Sequence, residues 1–68
     1  MLTQKQKELI RTLVQRGLDE DEVLGVILTM NTEKKQEELA KILEQNPEAT
    51  PQEVLRMELN IMKKYREV

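Results

Sequence analysis

The chain has no cysteine, no histidine, no serine and a single aromatic residue, Tyr65. Without cysteine there is no disulfide and no thiolate metal site. Without histidine the commonest metal ligand and the commonest general base are both missing. The remaining nucleophiles are Thr3, Thr12, Thr29, Thr32, Thr50, Tyr65 and the lysines, and none has an evident base beside it. The only glycines, Gly17 and Gly25, lie too far apart to make a phosphate-cradling loop. These absences lead us to expect no enzyme, no catalytic residue, no cofactor and no bound metal.

Long apolar runs are missing too. The longest is Val26-Ile27-Leu28, far short of the ~20 residues that span a bilayer, so no membrane segment is expected. No apolar run follows the basic residues near the N-terminus, so no secretory signal is expected, and the cysteine-free composition fits a cytoplasmic protein.

What is present is a core vocabulary of Leu, Ile, Val and Met, which suits helix–helix packing better than sheets. At 68 residues the chain is one domain, 1–68, near the lower limit for folding unaided. A core of this size supplies roughly 3–5 kcal/mol at most, which keeps oligomerisation open.

Local signals predict an all-α fold, a compact bundle of four short helices over about 4–16, 20–30, 33–45 and 51–66. Thr3-Gln4-Lys5-Gln6 reads as a capping box. It opens a first helix whose apolar face is Leu2, Leu9, Ile10, Leu13 and Val14. Arg16 in its last turn suits its dipole, and Gly17 fits the left-handed position that ends many helices.

Asp19 caps the second helix, and Glu20, Asp21 and Glu22 fill a first turn where unpaired amides welcome negative charge. The six side chains Val23, Leu24, Val26, Ile27, Leu28 and Met30 cover nearly its whole circumference. A helix apolar all round is a buried one, so this helix is expected at the centre, with Gly25 permitting a close helix crossing. The third helix starts at Asn31 or Thr32, presents Gln36, Leu39, Ala40, Ile42 and Leu43, and stops at Asn46-Pro47. Thr50-Pro51-Gln52-Glu53 opens the fourth, with a cap, a first-position proline and a capping-box Glu. Short connections favour packing of successive helices on one another.

The acid run Asp19–Glu22 could suggest a cation site. Calcium loops, however, need alternating oxygen ligands and a central glycine, and Val23 and Leu24 fill the later slots. Capping is the better account. Lys5, Lys7, Arg11 and Arg16 stand against Glu8 alone in the first helix, and Lys63, Lys64 and Arg66 against Glu67 at the end. Lying side by side, the two termini would form a basic patch able to meet phosphates. The formal net charge of −2 and the lack of stacking aromatics favour a plain solvated surface. A nucleic-acid-reading helix is not expected either, since Glu37, Glu38 and Glu44 on the third helix would repel phosphates.

The fourth helix is the most informative. Val54, Met57, Ile61, Tyr65 and Val68 form one stripe, and Leu55, Leu59 and Met62 a second beside it. Together they span about 200°, wider than one core-facing helix needs. Glu58 falls between them, and an isolated buried carboxylate is costly. One stripe is therefore expected to face the core and the other a protein partner, with Leu55, Glu58, Leu59, Met62 and Arg66 as the contact residues. Methionine at such surfaces adapts to varied partners. The alternative is a fully buried helix with Glu58 reaching solvent or a cation.

From Ile10 to Pro47 the chain resembles ubiquitin-associated (UBA-like) three-helix domains. The carrying residues are Ile10, Leu13 and Val14, the Gly17-Leu18 turn, Val23, Ile27 and Leu28, then Ala40, Leu43 and the closing Asn46-Pro47. Arg16-Gly17-Leu18 stands where the family's turn reads Met-Gly-aromatic, so the glycine matches and its neighbours differ. The resemblance implies a three-helix core, here followed by a C-terminal helix, and a protein-binding habit. The expectation is thus a non-enzymatic protein–protein interaction module that self-associates through its C-terminal helix as a homodimer. The alternative is a small nucleic-acid-associated or phage or mobile-element regulatory protein using the basic residues of the first and last helices.

Overall fold

Residues 2–66 are described by a computed structural model of four helices, α1 (Gln4–Gln15), α2 (Glu20–Thr29), α3 (Glu33–Gln45) and α4 (Pro51–Tyr65), with no strand among the described residues. Glu67 and Val68, placed near the last helix by the sequence pattern, lie outside the described residues.

The helix starts follow from short-range chemistry. In α1 the Gln6 amide donates to Thr3 Oγ1 at 3.1 Å, while the Thr3 amide donates to Gln6 Oε1 at 2.8 Å. The same reciprocal box joins Asp19 with Glu22, at 2.9 Å in each direction, and Thr50 with Glu53. Each box satisfies two amides that the first helical turn leaves without partners. Helix α3 has a single cap, Thr32.

Helix α1 ends in a Schellman motif. Gly17 takes a φ of +93°, the Gly17 amide donates to Val14 O at 3.0 Å and the Leu18 amide to Leu13 O at 3.2 Å. Leu18 and Leu13 are both buried, the apolar contact that goes with this motif. A side chain at position 17 would strain the left-handed backbone, and its Cβ would stand 3.4 Å from the Pro51 ring. The Gly17 turn that follows α1 therefore lies against the start of α4.

Helix α1 packs on α2 and α3, and α4 packs on the same two. Lys5 near the start of α1 pairs with Glu37, and Arg16 at its end reaches Leu43 and Asn46, so α1 and α3 run parallel. Glu38 meets Lys64 and Tyr65, so α3 and α4 run antiparallel. The helices occupy the corners of a square, with α1 and α4 on one diagonal and α2 and α3 on the other. All four share one core, whose least exposed large side chains are Leu13, Val26, Met30, Leu39, Leu43, Val54 and Ile61. Val54 and Ile61 make α4 integral to the core.

Four expectations need correction. The second helix is not buried all round: Leu24 is 58% exposed and Leu28 69%. A ten-residue helix at a corner has two neighbours, which cover Val23, Val26 and Ile27, whereas Leu28 lies about 140° around the helix from Val23. Gly25 permits no close crossing within the chain, because a Cβ there would meet nothing within 4 Å. Successive helices do not all pack, since α2 and α3 sit across a diagonal. Arg16 serves α3 rather than the α1 dipole alone. Its guanidinium donates to Leu43 O at 2.5 Å and Asn46 O at 2.7 Å, satisfying carbonyls at the α3 C-terminus. Smaller departures follow the same logic: Leu2, Val14 and Ala40, read as parts of apolar faces, are exposed.

Candidate functional site

The stripes of α4 divide between core and surface. Val54 and Ile61 are buried, and Met57 and Tyr65 pack on the core half-buried. On the other flank Leu55 is half-buried against the core and Glu58 is half-buried, while Leu59 is 53% exposed and Met62 38% exposed. Arg66, exposed, caps the helix end. Lys64 and Tyr65 bond to Glu38 of α3, so α3 lies on one side of α4. Leu55, Leu59 and Met62 form the flank of α4 beyond Glu58, and α4 packs on α2 as well as on α3.

The basic termini are not side by side. No Cα of α1 comes within 8 Å of α4, because the two occupy opposite corners. They do share an end of the bundle, on either side of α3, and α3 neutralises one cation from each. Glu37 accepts from Lys5 and Glu38 from Lys64, the latter at 2.9 Å. The acids read as phosphate-repelling are in fact the partners of the basic helices. The opposite end gathers the starts of α2 and α4 and the ends of α1 and α3, and with them Asp19, Glu20, Asp21, Glu48 and Glu53. The domain is polarised along its axis. In the acid run, Asp19 and Glu22 are occupied by capping.

Tyr65 anchors the last turn of α4. Its hydroxyl donates to Glu38 Oε1 at 2.8 Å, and the ammonium groups of Lys35 and Lys64 each lie 5.8 Å from its ring centre. The hydrogen bond from Lys64, then that from Tyr65, holds the Glu38 carboxyl below its ordinary range. The same bond to Glu38, then desolvation, raises the Tyr65 hydroxyl above 10.0. The cluster's support is present above the ordinary carboxylate range and is lost as pH falls through the lowered Glu38 value. It is also lost as pH rises through the raised Tyr65 value. Tyr65 is the only aromatic, so its near-ultraviolet absorbance titrates the site directly. The wild-type midpoint is expected above that of free tyrosine, and Glu38→Gln is expected to bring it back down. Equal midpoints in the two proteins would refute the contact.

Between α1 and α3 runs an open groove of about 360 Å³, lined by Lys5, Leu9, Thr12, Arg16, Gln36 and Leu43 among others. Gln36, read from the sequence as part of an apolar face, is buried there. Its Nε2 donates to Met30 O at 2.9 Å and its Oε1 has no partner among the described residues. Among the described residues no group of three or more Asp or Glu is placed to hold a metal ion, and no helix is long and apolar enough to cross a membrane.

Sequence reasoning missed Leu24 and Leu28 as surface residues. The signal was present: alternating helix rows Glu20-Leu24-Leu28 and Asp21-Gly25-Thr29 each begin with an acid, as a partly solvated face does. Compared with protein-family models, with curated proteins and with solved structures, the chain gives no match.

Proposed function

We propose that this chain is a non-enzymatic module that acts by protein–protein contact and associates with itself. The observation that supports the reading is the apolar surface outside the core: Leu59 and Met62 on α4, and Leu24 and Leu28 on α2. Scattered exposed aliphatics are ordinary. Leu2 and Val14 stand singly, but Leu59 with Met62 and Leu24 with Leu28 lie three or four residues apart, so each of these pairs shares a helix face. The α4 flank of Leu55, Glu58, Leu59, Met62 and Arg66 is a contact surface with an apolar centre and charged borders, the usual anatomy of a protein interface. Nucleic-acid association has less support, because Glu37 and Glu38 already occupy Lys5 and Lys64.

Sedimentation equilibrium over a concentration series tests the reading. The apparent mass is expected to climb above the 8.0 kDa of one chain. A strict monomer throughout the series would remove self-association.

A further inference from the structure

Resting on the reading of an interaction module, we infer that the outer face of α2 is a two-fold contact with a second copy of this chain, the two α2 helices crossing antiparallel over Gly25.

The first ground is exposure. Leu28 and Leu24 are the two most exposed large apolar side chains of the core-bearing helices. They stand one turn apart on the side of α2 away from Val23 and Val26, where none of the described residues covers them.

The second ground is Gly25. Glycine inside a helix costs about 1 kcal/mol relative to alanine, and a folded chain tolerates it where a backbone must come close. Among the described residues nothing comes close: the space outside Gly25 is open for 4 Å. The chain itself gives no reason for glycine at this position. A helix arriving from outside does, because the missing side chain leaves a recess next to the Leu24 and Leu28 knobs. Knob and recess lie on adjacent rows of one helix face. An antiparallel copy related by a two-fold axis at the crossing sets recess against recess, with Leu24 and Leu28 of each chain flanking the partner's α2 backbone, and this self-complementarity is what an isologous interface requires.

The third ground is charge, which selects the orientation and the occupant. Glu20 and Asp21 open the outer face of α2 and make no ion pair among the described residues. At the other end of α2, about 15 Å away by helix rise, lie the start of α1 with Lys7 and the end of α4 with Lys63. An antiparallel copy brings the acidic end of each α2 to the basic end of its partner. A parallel copy would stack acid on acid. The basic and acidic halves that complement one another belong to the same chain, so a second copy is the occupant that fits. The α4 flank is then left free for a different protein.

Sedimentation of the full chain and three variants decides between surfaces. The wild type is expected to approach twice the monomer mass. Leu28→Glu puts a charge into the contact, Gly25→Leu fills the recess, and both are expected to sediment as monomers with unchanged helical circular dichroism. Since Leu28 is 69% exposed, its replacement leaves the core intact. Leu59→Glu/Met62→Glu on α4 is expected to keep the dimer. A dimer that survives Leu28→Glu and Gly25→Leu overturns the inference while leaving self-association standing. Loss of the dimer in the α4 variant, alone or together with the α2 variants, overturns the assignment to α2. A wild type that never leaves the monomer mass removes both the inference and the self-association on which it rests.

Discussion

Replacing Leu39 by alanine is expected to leave a large fraction of the chain unfolded at room temperature. Leu39 is 0% exposed and belongs to the one cluster that all four helices share. Leucine-to-alanine truncation in a core costs about 2–5 kcal/mol, the transfer term plus the cavity it leaves. A domain of this length has roughly 3–10 kcal/mol in total, at about 0.05–0.15 kcal/mol per residue. Against the roughly 3–5 kcal/mol that a core of this size supplies, the truncation removes about 40% or more, and the thermal midpoint is expected to fall by roughly 10 °C or more. Circular dichroism during thermal or urea unfolding measures it. Leu39→Met, which keeps the volume, is expected to cost less than about 1.5 kcal/mol. A midpoint for Leu39→Ala within a few degrees of wild type would show that the four helices do not depend on a common core.

The second large effect is expected at Arg16. Its guanidinium carries two charged hydrogen bonds from the end of α1 to the carbonyls of Leu43 and Asn46 at the end of α3. Parallel helices bring their C-terminal carbonyls together, and a cation between those ends offsets both dipoles. Hydrogen bonds to charged groups contribute about 1.5–3 kcal/mol. Arg16→Met keeps the aliphatic stem and removes the donors, so a loss of roughly 2–3 kcal/mol is expected as a lower urea midpoint. Arg16→Lys is expected to recover only part, because an ammonium does not reproduce the planar fork that serves two acceptors. Equal midpoints for Arg16→Met and wild type would mean that solvent satisfies those carbonyls equally well.

Arg16 also shows where sequence reading stops. The capping boxes at Thr3 and Thr50, the Asp19 cap and the glycine turn at Gly17 are legible because all their partners lie within five residues, although the return bond of Glu22 to Asp19 is not read from the acid run. The apolar rows that become the core of α1 and α3 were legible for the same reason. Arg16, by contrast, meets residues 27 and 30 positions away, and no local pattern announces that it would turn to α3 instead of capping its own helix. The acids Glu37 and Glu38 were read by charge alone, and only the packing of α1 and α4 on either side of α3 makes them clamps for Lys5 and Lys64.

Helix α2 was misread for a geometric reason. Apolar residues around a helix imply burial only when neighbours surround it, and a corner in a square of four short helices supplies two. Leu24 and Leu28 were therefore counted toward the core when they form an outer ridge. On α4 the two stripes were legible as stripes. How far each is covered depends on the packing of all four helices, which leaves Leu55 half-buried against the core and Leu59 and Met62 exposed.

The diagonal placement of α2 and α3 has a kinetic consequence. The chain reads as two hairpins, α1 with α2 and α3 with α4, each closed by a short connection and each needing little loop entropy to form. The helix-to-helix contacts distant in sequence are those by which one hairpin docks on the other, α1 against α3 and α2 against α4. Local pairing can thus run ahead of docking, the regime in which small helical proteins reach the native state within microseconds to milliseconds. The connection through Met30, Asn31 and Thr32 has only to hold two preformed halves within reach of each other.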